Sequence, residues 1–158
     1  MKKLAIIFFT KTGNTEAMAH LIAEGAEDEG GVEVHVARVE DFSSGRVMEF
    51  DGFVLGSPTY YGSMSGEMKK FLDETVKFHR QLDGKVGAAF TSAANIGGGN
   101  ETTITGILNA LLIHGMIIQG NPDGDHFGPV SIGAPDDRVR GQCRMLGKRV
   151  AMLIKMLN

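Results

Sequence analysis

No tryptophan occurs among the 158 residues, cysteine appears once and proline four times. The single thiol, Cys143, excludes an internal disulfide. It shares a helical face with Leu146, Val150, Leu153 and Leu157 and reads as a core residue. No Cys and His spacing suits a metal. Neither sign of charge dominates. The formal net charge of −3 leaves no footprint for nucleic acid or an anionic membrane surface. Nowhere do about 20 apolar residues run together, as a membrane span requires. Met1-Lys2-Lys3 before an apolar run imitates a secretion signal, but Leu4 to Phe9 falls short of the roughly 7–15 residues such a signal needs. These absences point to a reducing, cytoplasmic setting, and the length to one domain over residues 1–158.

What is abundant is glycine, with 22 residues clustered between apolar segments. Leu4–Phe9, Gly52–Gly56, Lys85–Thr91 and Met116–Gln119 read as strands, and the first two are continuous apolar runs of the kind covered on both faces. Val32–Val39 alternates apolar and polar, as a strand nearer the sheet edge does. Helical spacing joins Met18, Leu21, Ile22 and Gly25, then Met64, Met68, Phe71 and Leu72, then Ile104, Ile107, Leu108, Leu111 and Leu112. Asn121–Asp136 reads as loop, and Arg138–Leu157 as the last helix. From Arg138 onward every charged residue is basic: Arg138, Arg140, Arg144, Lys148, Arg149 and Lys155. That is a solvated face, or else a surface for an acidic partner or a nicotinamide phosphate. Strands alternating with helices imply an α/β, doubly wound, five-stranded parallel sheet. In the order 2-1-3-4-5, ligands bind beyond the carboxyl ends of the strands, where the chain reverses across the sheet.

The loops expected at that end are the unusual ones. Thr10-Lys11-Thr12-Gly13-Asn14-Thr15 sets hydroxyls, an amide and a glycine at a helix start, where backbone N–H groups and the helix dipole favour an anion. The G-x-x-x-x-G-K-[ST] loop of nucleotide hydrolases is absent, and no G-x-G-x-x-G follows the first strand. A metal-dependent phospho-acceptor would want acids where Thr10 and Ser57 stand. Neutral hydroxyls suit a phosphate monoester held without metal. Tyr60 and Tyr61, beside Pro58, Thr59 and Gly62, offer stacking faces for a flat ring. Ser92-Ala93-Ala94-Asn95-Ile96-Gly97-Gly98 offers small side chains and backbone N–H groups. His126, in the long loop after the fifth strand, is a candidate proton donor.

The first loop resembles the [TS]-x-T-G-N-T phosphate loop of flavodoxins. Gly56-Ser57-Pro58-Thr59-Tyr60-Tyr61-Gly62-Ser63-Met64, Gly97-Gly98-Gly99-Asn100-Glu101-Thr102-Thr103 and His114-Gly115-Met116 are similar to motifs of the NAD(P)H:quinone oxidoreductase, or WrbA-like, branch of that superfamily. The resemblance implies a flavodoxin-like fold and FMN, with Thr10–Thr15 on its phosphate and Pro58–Gly62 and Ser92–Gly98 around its ring. Two roles follow from it. One is an electron carrier serving redox partner proteins. The other is an enzyme taking hydride from NAD(P)H and reducing quinones. The reductase branch places an aromatic where this chain has Thr12, and a tryptophan near Phe78-His79. Its connection before Phe53 is also longer, and carries tetramer assembly. Electron-carrying flavodoxins are strongly acidic, which this chain is not. Both roles stay open on the sequence, as does assembly into a homo-oligomer.

Overall fold

A computed structural model describes residues 1–157. The chain runs β1 (Lys2–Phe8), α1 (Asn14–Glu29), β2 (Val32–Arg38), β3 (Gly52–Pro58), α2 (Gly66–Glu74), β4 (Val86–Ala93), α3 (Asn100–Ile113), β5 (Ile117–Ile118), β6 (Val130–Ile132) and α4 (Asp137–Met156). Short 3-10 turns over Val39–Asp41, Ser44–Glu49 and Thr75–Phe78 fill the connections around β3 and α2.

The strands are parallel, in the order β2-β1-β3-β4-β5. Side chains of a strand alternate between faces, and β1 shows the consequence. Leu4, Ile6 and Phe8 enter a core with α1 and α4, while Ala5 and Ile7 enter a second core with α2 and α3. Both faces are dry, so the strand reads as unbroken apolar sequence. The fifth strand departs from expectation. Only Ile117 and Ile118 pair with β4 at Val86 and Gly87, and the chain then leaves the sheet. It returns as β6, a strand within the segment expected to be loop, which pairs with Thr91–Ala93 at the carboxyl end of β4. The excursion is stapled to α4. Asp125 accepts from Val130 N–H and from Arg138, and Gln142 Oε1 accepts from Asp125 N–H at 3.1 Å.

The two helices on the first face approach closely. A Cβ on Gly25 would stand 2.0 Å from the Arg144 carbonyl oxygen, and one on Gly147 would stand 1.9 Å from that of Ile22. Around this contact the basic residues of α4 meet acids of α1. Arg144 pairs with Glu24 and Lys155 with Glu29, both at 2.7 Å, and Lys148 reaches Glu29 at 4.0 Å. Arg149 donates to the Gly120 carbonyl. Most of the basic run therefore makes ion pairs at the surface of the molecule, as a solvated helix face does. Cys143 is fully buried, as its helical face requires, and burial pushes its thiol up to about 12. Leu112 and Leu157, expected on buried stripes, are exposed.

Candidate functional site

At the carboxyl edge of the sheet, β1 runs into Phe9, whose N–H bonds Gly56 O at 3.0 Å, and the chain turns through Thr10–Gly13 into α1. Thr10 is buried, and its Oγ1 accepts from Gly13 N–H at 3.0 Å, which leaves the hydroxyl hydrogen free to donate outward. Thr15 is buried against β4, with Oγ1 2.9 Å from Ser92 Oγ. One hydrogen makes that bond, so the pair keeps the other to give.

The start of α1 is the telling element. A helix leaves its first N–H groups without intrahelical partners. In α2 and α4 side chains answer them: Ser65 Oγ accepts from Met68 N–H, and Asp136 Oδ1 accepts from Val139 N–H at 2.8 Å. In α1, as in α3 at Gly99, the cap is a left-handed glycine, here Gly13 with φ +96°, and no side chain caps the helix. The first-turn acid, Glu16, is drawn aside to Arg38 at 3.0 Å. These donors open on a cleft of about 300 Å³. Thr10, Lys11, Thr12, Asn14, Thr15, Pro58, Thr59, Tyr60, Ser92, Ala93, Ala94 and Gly133 line it, with no carboxylate among them. Free hydroxyl hydrogens, orphan N–H groups and an absence of acids fit a phosphate monoester.

Three loops distant in sequence thus form one wall. Gly133 joins them, although the sequence did not single it out. Its N–H bonds Ala93 O at 2.9 Å, an extension of the β6 pairing that periodicity does not reveal. Tyr60 stands edge-on to Phe9, with ring centroids 6.3 Å apart, and remains partly exposed. Burial, with the charge of Glu67 nearby, raises its phenol above the ordinary tyrosine range. Tyr61 is fully exposed at φ +48°, and with Gly62 it forms the tip of a tight turn closed by Tyr60 and Ser63.

Asn95, Ile96, Gly97 and Gly98 lie outside the lining of this cleft. Their loop closes partly on itself. Gly97 N–H donates to Asn100 Oδ1 at 3.2 Å, so it is not among the free donors expected there. His126 lines a separate opening of about 350 Å³ with Ile96, Phe127 and Arg138. A 2.8 Å contact with the Asn121 carbonyl, which can only accept, places a proton on Nδ1. His114 lies at the far end of α3, bonded through Nε2 to Thr75. Among the described residues no cluster of three metal-ligating side chains forms.

A family model described as NADPH-dependent FMN reductase matches residues 1–122. The chain belongs to that family. Membership in this FMN reductase family brings FMN with it as cofactor, and the hydroxyl-lined cleft fits the phosphate of that group. A flavodoxin of Clostridium saccharobutylicum is 36% identical over 161 residues, covering 98% of this chain and 99% of the relative. An NAD(P)H dehydrogenase (quinone) of Archaeoglobus fulgidus is also 36% identical, over an alignment of 191 residues covering 99% of this chain and all of the relative. That alignment is longer than the present chain, so the archaeal relative carries insertions absent here. Among solved structures, a flavodoxin from the domain Archaea superposes with a TM-score of 0.78 at 29% identity, covering 97% of this chain and 99% of the other.

Proposed function

We propose that this chain is an FMN redox protein that passes electrons between partner proteins through its bound flavin. The uncapped start of α1, opening on a cleft without carboxylates, carries the reading. The end-to-end match to a flavodoxin of similar length supports the carrier role. When bound, FMN supplies the electron-storing ring, and the chain's residues supply binding and access. Thr10, Thr12 and Thr15, the first N–H groups of α1 and the amide of Asn14 would hold the phosphate. Gly13 gives the backbone its close approach, and Lys11 stands exposed beside it to offset charge. Pro58, Thr59, Tyr60, Tyr61 and Gly62 would wall one side of the ring, and Ser92–Gly98 the other. No catalytic triad is needed. No helix among the described residues is long and apolar enough to cross a membrane, and we place the protein in the cytoplasm.

A second reading has its own support. The archaeal relative is named an NAD(P)H dehydrogenase (quinone), and the family description includes NADPH. On this reading the chain accepts hydride from NAD(P)H and reduces quinones, with His126 as a proton donor beside the flavin edge. Anaerobic mixing of the FMN-loaded protein with NADH and with NADPH separates the two roles. The carrier reading expects no rapid bleaching of the flavin by either nucleotide, while photochemical reduction bleaches it fully. Bleaching within seconds by one nucleotide, with reoxidation by an added quinone, assigns the reductase role instead.

A further inference from the structure

The Tyr60–Ser63 turn is strained and exposed, yet it is fixed in place. Tyr61 and Gly62 both have positive φ, a combination that suits tight hairpin turns and that tyrosine seldom adopts. Within the turn, Tyr60 N–H bonds Ser63 O at 2.8 Å and Ser63 N–H bonds Tyr60 O at 3.1 Å. What joins it to the body of the protein comes from α3. Thr102 Oγ1 lies 2.8 Å from Gly62 O and 3.0 Å from Gly99 O. Gly99 touches the turn directly. A Cβ there would fall 2.4 Å from Gly62 Cα, and its φ of +103° also demands glycine.

Counting hydrogens decides where that of Thr102 goes, since each hydroxyl has one to give. Thr91 Oγ1 donates to Ser57 O at 2.7 Å, so it accepts from Thr59 Oγ1, 2.9 Å away. Thr103 Oγ1 lies 2.8 Å from Gly99 O and 3.0 Å from Thr59 Oγ1, and the shorter contact gives its hydrogen to Gly99 O. Gly99 O is already served by Thr103 N–H at 2.9 Å. Gly62 O has no backbone donor, and the shorter contact gives it the Thr102 hydrogen. A line of hydroxyls therefore runs from Thr59 through Thr91 to the Ser57 carbonyl of β3, with Thr103 of α3 packed beside it. Thr102 stands apart from that line and ties the tyrosine-bearing turn to the helix that follows the Ser92–Gly98 loop.

We propose that Thr102 is a positioning residue for the flavin ring, fastening the Tyr60–Ser63 turn to the start of α3 so that the two walls of the ring site move as one body. This rests on the reading that the turn and the Ser92–Gly98 loop flank the ring, while Thr10–Thr15 holds the phosphate. Thr102 is not among the residues lining the cleft, and its hydroxyl contacts are with Gly62 and Gly99 rather than the phosphate loop. Its loss therefore acts on the ring end alone.

The test compares two ligands on flavin-free protein, FMN and riboflavin, which lacks the phosphate. Thr102→Val should raise the Kd of both by the same factor, about three- to tenfold for one hydrogen bond. It should also speed amide exchange at Ser63 in the ligand-free protein. Thr102→Ser, which keeps the hydroxyl, should restore both values. Thr12→Ala should weaken FMN alone. Unchanged exchange and unchanged riboflavin affinity in Thr102→Val overturn the clasp, as does failure of the serine variant to restore them. Failure of the underlying reading looks different: Thr12→Ala would then weaken riboflavin as much as FMN, or the unaltered protein would bind neither. Exchange at Ser63 needs no ligand, so it judges the clasp in every one of these cases.

Discussion

His114 is a buried base with half of its hydrogen bonding met. Thr75 Oγ1 donates to Leu72 O at 2.6 Å, so the 2.8 Å contact with His114 Nε2 must carry the imidazole's proton toward threonine. Nδ1 is left buried without a partner. Burial, and then the neighbouring His79, hold His114 below the usual histidine range. A proton added at Nδ1 would have no acceptor. The sign follows from linkage. The folded form prefers the neutral ring more than the unfolded chain does, so its contribution is present in full above about pH 6.5 and fades as pH falls below that. Thermal midpoints measured from pH 7.5 to 5 should therefore fall, and His114→Gln should shrink the fall. An identical pH slope in that variant would remove His114 as its source.

At the level of elements, the contact between α1 and α4 leaves no space for a side chain. Gly147→Ala drives a methyl into the Ile22 carbonyl, so the helices must part, at a cost of about 1–3 kcal/mol. Gly141, on the same helix, has nothing within 4 Å of an added Cβ. Gly141→Ala should stabilise by about 0.5–1 kcal/mol through helix propensity. Urea unfolding of the two variants checks both values, and equal effects would mean that the helices do not meet as described. The sequence made these helices legible through their apolar stripes, Gly25 among them, but not the close contact at Gly25 and Gly147, which depends on a partner more than a hundred residues away. The run Leu4–Phe9 was equally plain because both faces of β1 are dry. Val130-Ser131-Ile132 was not, since three residues amid glycine and proline hold no period, and pairing with β4 alone makes them a strand.

For the whole molecule, binding energy and folding energy are linked. A ligand bound only by the folded chain stabilises it in proportion to the logarithm of its concentration over Kd, about 4 kcal/mol at a thousandfold excess. FMN should therefore raise the melting temperature more than riboflavin at equal concentration. Inorganic phosphate should compete with FMN and leave riboflavin binding unaffected. Equal shifts from the two flavins would mean that the Thr10–Thr15 loop does not hold the phosphate. The makeup of that loop was plain in the sequence because it is local: hydroxyls, an amide and a glycine in consecutive positions. Gly133 and the threonine line were not, because each joins segments distant along the chain. The partners of the basic C-terminal run were hidden for the same reason, as the acids that meet Arg144 and Lys155, Glu24 and Glu29, lie at the other end of the protein.

The broken fifth strand also bears on how copies of this protein meet one another. An exposed sheet edge invites another chain to add a strand, and it does so through a continuous row of free N–H and C=O groups. Beyond β4 that row is interrupted, with two residues of β5, then an excursion stapled to α4, then three of β6. The continuous edge is the opposite one, β2, whose seven residues include Glu33, His35 and Arg38. Fibre-like growth by strand addition needs two compatible edges, and this sheet offers an incoming strand one, with charges along it.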